Sequence, residues 1–306
     1  MIESFQQILP HGTTLSCRAA GERGRPVLLF LHGFPEAAFV WDGLLAHFAQ
    51  AGNGGYRCVA PNLRGYEQSS APEDVAAYRA KPLVQDLTAL IDVITQDSPT
   101  PGQLACLVAH DWGGALAWSV AAQCPAAMRR LAIVNAPHPA TFQRELANSP
   151  IQQASSAYMN FLARPDAPAL LAENDFARLW PFFTNMAADS GPLAWLDDAT
   201  RDRYRAVWRQ GLHGPCAYYA ASPLRPPTAN DAGAAAVKLP RERVSVNVPT
   251  LVVWGLGDTA LPEALLDGLD DFVPDLHIER VPGATHWIVH EQPQRVAALI
   301  GDFLTS

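Results

Sequence analysis

The chain has 306 residues, 49% hydrophobic and 17% charged, with 30 acidic against 22 basic side chains and a formal net charge of -8. That size suits one large α/β domain carrying an insertion, with enough apolar content for a substantial core. The acidic balance argues against a nucleic acid or an anionic membrane as partner, and no apolar run approaches the length of a membrane span.

Met1 to Pro10 lacks a basic segment followed by an apolar stretch, so no signal peptide is expected and a reducing, cytoplasmic setting is the default. The five cysteines, Cys17, Cys58, Cys106, Cys124 and Cys216, are scattered without metal-type spacing. Val27-Leu28-Leu29-Phe30-Leu31 reads as a strand buried on both faces, as in a parallel sheet, and runs into His32-Gly33-Phe34-Pro35-Glu36. Tyr56–Pro61 is a second strand, closed by proline. Pro82 opens a helix in which Leu83, Leu87, Leu90 and Ile94 recur at helical spacing. Leu104–Val108 is a strand and Ala115–Ala122 a helix, with Ala109-His110-Asp111-Trp112-Gly113-Gly114 between them. Leu131–Val134, Thr250–Gly255 and Leu276–Val281 are further strands. A last helix carries Val296, Leu299, Ile300, Phe303 and Leu304 on one stripe. Strands alternating with helices predict an α/β architecture, a doubly wound, mostly parallel sheet. Residues 137–244 break the alternation with helical apolar spacing and many prolines. They read as a helical cap domain inserted into a core made of residues 1–136 and 245–306.

Asp111 is the most informative residue. A strand, a sharp turn and a helix form the context of a nucleophile elbow, G-x-S-x-G in its usual form, and here the nucleophile slot holds a carboxylate. An attacking carboxylate makes an ester to carbon, which suits a saturated carbon bearing a leaving group or a strained ring. The plainer alternative is an Asp that caps the following helix. His286, in Gly283-Ala284-Thr285-His286-Trp287, follows the strand Leu276–Val281 and is placed to serve as a base, unless it merely packs beside Trp287. Asp258, past the strand Thr250–Gly255, is the acid expected to orient it. Asp267, Asp270 and Asp271 fall too far on, and the other acid slot, after Leu131–Val134, holds Asn135, an amide without charge. The backbone N–H groups of Phe34 and Trp112 are candidates for an oxyanion hole. In the cap, Tyr158 and Tyr219 could donate to a developing alkoxide. Tyr218 rivals Tyr219, because adjacent helical residues point in different directions.

Taken together these residues resemble the α/β-hydrolase superfamily and, within it, the epoxide hydrolases. His32-Gly33-Phe34-Pro35-Glu36, His110-Asp111-Trp112-Gly113-Gly114, the Arg64-Gly65-Tyr66 turn, Asp258 and His286 carry the resemblance over nearly the whole chain. It maps the two cap tyrosines of that family onto Tyr158 and onto Tyr219, the second of a Tyr-Tyr pair. It implies a hydrolase that opens an epoxide to a vicinal diol through an ester on Asp111, hydrolysed by water that neutral His286 activates. No metal or organic cofactor is expected, the partner is a small apolar electrophile, and a homodimer is compatible with the class. Activity is expected to fall on the acid side, near the ordinary imidazole titration. The aspartate motif is shared with dehalogenases, which stand as the alternative, and a ligand-binding member without turnover is a third reading. Haloacid-type members carry Arg where this chain has Trp112 and Ala115, and many haloalkane-type members carry Asn at the place of Phe34. The fluoroacetate enzymes have His and Trp at the places of Tyr158 and Met159.

Overall fold

The computed structural model describes residues 1–185 and 193–306. Eight strands form one sheet: β1 (Glu3–Ile8), β2 (Thr14–Ala20), β3 (Val27–Leu31), β4 (Arg57–Pro61), β5 (Cys106–His110), β6 (Leu131–Val134), β7 (Thr250–Gly255) and β8 (Leu276–Val281). Their spatial order is β1-β2-β4-β3-β5-β6-β7-β8. From β4 to β8 every pairing is parallel, whereas β2 runs antiparallel to both β1 and β4. The six parallel strands coincide with the runs expected from sequence to within two residues at either end. The antiparallel pair β1–β2 escaped that reading, because Glu3-Ser4-Phe5-Gln6-Gln7-Ile8 and the Ser16 and Arg18 positions of β2 dilute the apolar signal.

Alternation along the buried strands explains the layering. Val27, Leu29 and Leu31 face one way and pack with the helices Ala80–Ile94 and Asp111–Gln123. Leu28 and Phe30 face the other way, against the helices Asp42–Phe48 and Pro293–Thr305. A residue of a two-sided sheet must be apolar on both faces, hence the uninterrupted Val-Leu-Leu-Phe-Leu run. The helix expected to open at Pro82 begins two residues earlier, at Ala80. Pro82 still lies in the first turn, where its missing N–H has no partner to lose.

Between Val134 and Thr250 the described residues form helices and loops and no strand. Their own core gathers Met159, Leu162, Phe183, Tyr204 and Trp208 around Phe34 and Trp287 of the sheet half. The helical insertion is therefore seated on the His32–Glu36 loop and on the residue after His286. No described helix is long and apolar enough to cross a membrane.

Candidate active site

Parallel register brings the carboxyl ends of the central strands to one edge, where open α/β sheets bind ligands: Leu31 lies beside Ala109, and His110 beside Val134. Asp111 leaves that edge at φ +49°, a left-handed conformation rare for a residue with a side chain, and begins the helix Asp111–Gln123. The turn is possible because two glycines let backbone and side chain close up. A Cβ on Gly33 would lie 2.2 Å from Asp111 Oδ1, and one on Gly113 would lie 2.5 Å from the Leu31 carbonyl oxygen.

The two carboxylate oxygens of Asp111 face different partners. Oδ1 accepts the Phe34 N–H at 2.7 Å. Oδ2 stands 3.6 Å from His286 Nε2. The Trp112 N–H, second in its helix, belongs to the first turn, which has no intrahelical acceptors. His32 shapes the Phe34 loop. Burial lowers its pKa to about 4, so the ring is neutral and can donate from Nδ1 to the Gly33 carbonyl at 3.0 Å while Nε2 accepts the Leu63 N–H at 3.1 Å.

On the other ring nitrogen of His286, Nδ1 lies 2.7 Å from Asp258 Oδ2. The three side chains are 15%, 4% and 0% exposed for Asp111, His286 and Asp258. Burial alone would push the His286 imidazole down, but the charges of Asp258 and Asp111 prevail and raise it to about 10. Burial alone would likewise raise the Asp111 carboxyl, yet His286, His110 and the Phe34 N–H hold it below its ordinary value. The resting pair is therefore carboxylate and imidazolium. The imidazole titration is thus raised above the ordinary value on which the expected acid-side fall in activity rested, because two buried carboxylates flank one ring.

Tyr158 and Tyr219 line the same cavity as Asp111, a space of about 320 Å³ walled largely by apolar side chains such as Leu116, Phe142 and Leu224. Their ring centroids are 6.1 Å apart. Burial, reinforced for Tyr158 by the charges of Asp111 and Asp258, raises both phenols far above the ordinary range, so both hydroxyls keep their protons and can donate. Tyr218 and Tyr219 both line this cavity and both pack edge-on against Trp112. They differ in that the Tyr218 hydroxyl donates to the Arg64 carbonyl at 2.9 Å, whereas Tyr219 packs against Phe34 and Tyr158. The helix His213–Ala221 that carries both is pressed onto the Arg64-Gly65-Tyr66 turn. A Cβ on Gly214 would lie 2.4 Å from the Gly65 Cα.

Sequence reasoning missed a buried polar layer behind these residues. Glu36, fully buried, accepts from Tyr204 Oη at 2.9 Å and contacts His290 Nε2 at 2.5 Å and His110 Nδ1 at 3.2 Å. Burial opposes its charge, but His290 and His110 hold it well below the usual carboxylate range. His110 Nε2 in turn meets the His286 carbonyl at 2.9 Å. The signal was available, since a glutamate inside an apolar loop must find buried partners. Which partners it finds depends on contacts up to 254 positions apart. Among the described residues no group of three or more His, Cys, Asp or Glu side chains is arranged to hold a metal ion.

The model of the alpha/beta hydrolase fold family matches residues 26–293 of the chain. The chain belongs to the α/β-hydrolase fold family. This hydrolase is 33% identical over 302 residues to the AB hydrolase superfamily protein YfhM of Bacillus subtilis (strain 168), covering 98% of this chain and 97% of that protein. It is 32% identical to human Epoxide hydrolase 4, covering 98% of this chain and 78% of the human protein. Among solved structures it is similar to an epoxide hydrolase of the same superfamily from hot-environment metagenomes. That likeness has a TM-score of 0.85 at 35% identity and covers 99% of each chain. The hydrolase therefore groups with members of its family that are named epoxide hydrolases.

Proposed function

We propose that this α/β hydrolase opens small apolar epoxides to vicinal diols through a covalent ester on Asp111, with residues 137–244 acting as the cap that closes the pocket. The observation that carries the reading is the pairing of a carboxylate nucleophile with two protonated phenols across one apolar cavity. A phenol donates to an oxygen that develops negative charge as a strained ring opens. The relatives named epoxide hydrolases support the same substrate class.

The steps follow from which atom faces which. Asp111 Oδ2, the oxygen not held by Phe34, attacks an epoxide carbon, and the C–O bond of the ring breaks. Tyr158 and Tyr219 donate to the leaving oxygen, one giving up its proton to form the hydroxyl. Asp111 is now a neutral ester whose carbonyl oxygen, Oδ1, already lies against the Phe34 N–H. Losing that negative charge removes one of the two carboxylates that keep His286 protonated. His286 can then give its proton up, restoring the phenol, and take another from water. That water attacks the ester carbonyl carbon, with Phe34 and Trp112 N–H donating to the oxyanion. The bond between the carboxyl carbon and Oδ2 then breaks, Oδ2 departs on the product and takes the remaining proton of the attacking water, and the diol leaves with the carboxylate–imidazolium pair restored.

The test is a mixed panel of epoxides and halo-compounds with separate detection of diol and halide. Diol from epoxides without halide from the others supports the reading. Halide release without diol overturns it in favour of a dehalogenase.

A further inference from the structure

Asn135 follows β6, in the slot where an acid would suit this fold equally well, and the catalytic steps above make no use of it. It is fully buried and holds φ +40°, a left-handed conformation that asparagine tolerates better than most side chains. Both ends of its amide are committed to the segment that carries the acid. Oδ1 accepts the Gly255 N–H at 3.0 Å, and Nδ2 donates to Asp258 Oδ2 at 2.8 Å. That is the same oxygen that faces His286 Nδ1 at 2.7 Å. The other oxygen of Asp258 accepts the N–H groups of Ala260 and Leu261, both at 2.9 Å.

We propose that Asn135 is a positioning residue that limits how tightly Asp258 holds the imidazolium, and thereby sets when His286 is free to act as a base. The inference rests on the ester mechanism for its consequence but not for its test. A donor on a carboxylate oxygen disperses the charge and stabilises the anion, so the anion gains less from a second donor on the same oxygen. In the resting protein this matters little, because Asp111 also keeps His286 charged. Once Asp111 is an ester, Asp258 is the remaining carboxylate in contact with the ring, and its grip decides the proton affinity of the base. The other groups that face the ring are unchanged by a substitution at Asn135. They are the His110 ring at 4.7 Å with Glu36 behind it, and the uncharged Trp287 indole at 4.8 Å.

The test reads His286 directly. In the variant Asp111→Asn an uncharged amide stands for the ester, and the His286 ring is titrated by NMR with and without Asn135→Gly, a residue that suits the positive φ. We expect the midpoint to move up by about half to one unit when the amide is removed. Asn135→Asp, whose carboxyl would share one proton with Asp258 at this distance and so keep a donor there, should leave the midpoint close to that of Asp111→Asn alone. With Asp111 intact, the single change Asn135→Gly should slow ester hydrolysis about three- to tenfold at pH values below the midpoint and restore the rate at higher pH. An unchanged or lowered midpoint in Asn135→Gly would overturn the proposal, as would a rate loss that is the same at every pH. Because the titration needs no substrate, its outcome is independent of whether the intact protein opens epoxides.

Discussion

The sheet-borne half of the site and the insertion-borne half are held in place by different physics. Asp111, Asp258 and His286 sit on short turns at strand ends, where backbone N–H groups and buried side chains hold both oxygens of Asp258 and one of Asp111. Asp258 alone accepts from Ala260, Leu261 and Asn135 and faces His286. Tyr158 and Tyr219 are positioned mainly by ring packing, with the glycine contact between Gly65 and Gly214 and the Tyr218 tether to Arg64 as local anchors. Hydrogen-bonded turns specify an atom's place closely. Ring packing specifies a surface, with less directional control over any one atom than a hydrogen bond gives. In the proposed mechanism the charge-forming chemistry falls to the rigid, hydrogen-bonded half and the leaving oxygen to the ring-packed one.

Breaking the rigid half should have the largest effect. Asp111→Ala is expected to lower kcat on the order of 10⁴-fold or more, since among the described residues no other carboxylate lines that cavity. On the insertion side, Tyr158→Phe or Tyr219→Phe should each cost about 10²-fold in kcat/KM, and the double change more, because either phenol can donate alone. Single-turnover kinetics would place these losses in ester formation and leave ester hydrolysis nearly intact. A loss confined to hydrolysis would contradict the role given to the phenols.

Smaller effects sharpen the contrast. Gly214→Ala forces the helix His213–Ala221 away from the Gly65 turn, at an expected stability cost of about 1–3 kcal/mol by thermal unfolding. Because the phenols ride on that insertion, activity should fall while the charge pair of Asp111 and His286 titrates as before. Stability against pH offers the mildest probe. His286 is raised to about 10 in the folded protein from an ordinary 6.5. Its contribution is therefore complete below about pH 6.5 and is lost as pH rises towards about 10. The Tm of the unsubstituted protein should decline across that window, and His286→Gln should remove that part of the decline. A slope unchanged by the substitution would show that the imidazole is not the group concerned.

The same contrast explains what could be read from the sequence. The elbow at Asp111, the loop at Phe34 and the strand-end positions of Asp258 and His286 were legible because each depends on a local pattern: an apolar strand, a glycine-rich turn, a helix. Asn135 was rejected as an acid on the sound ground that it has no charge. Its hydrogen bond to Asp258 joins residues 123 positions apart and leaves no local trace. The Glu36 layer was hidden for the same reason. The edge strand β1 and its neighbour β2 were missed because polar side chains, most of them on the largely uncovered β1, interrupt the apolar pattern.

Trapping the covalent ester tests the central claim most directly. With His286→Gln, incubation with an epoxide followed by intact-protein mass measurement should show a stable increase equal to one substrate molecule, mapped by peptide digestion to Asp111 and absent when Asp111→Ala is added. Diol formation by the unsubstituted protein, with no adduct ever detectable in the His286→Gln variant under the same conditions, would contradict it.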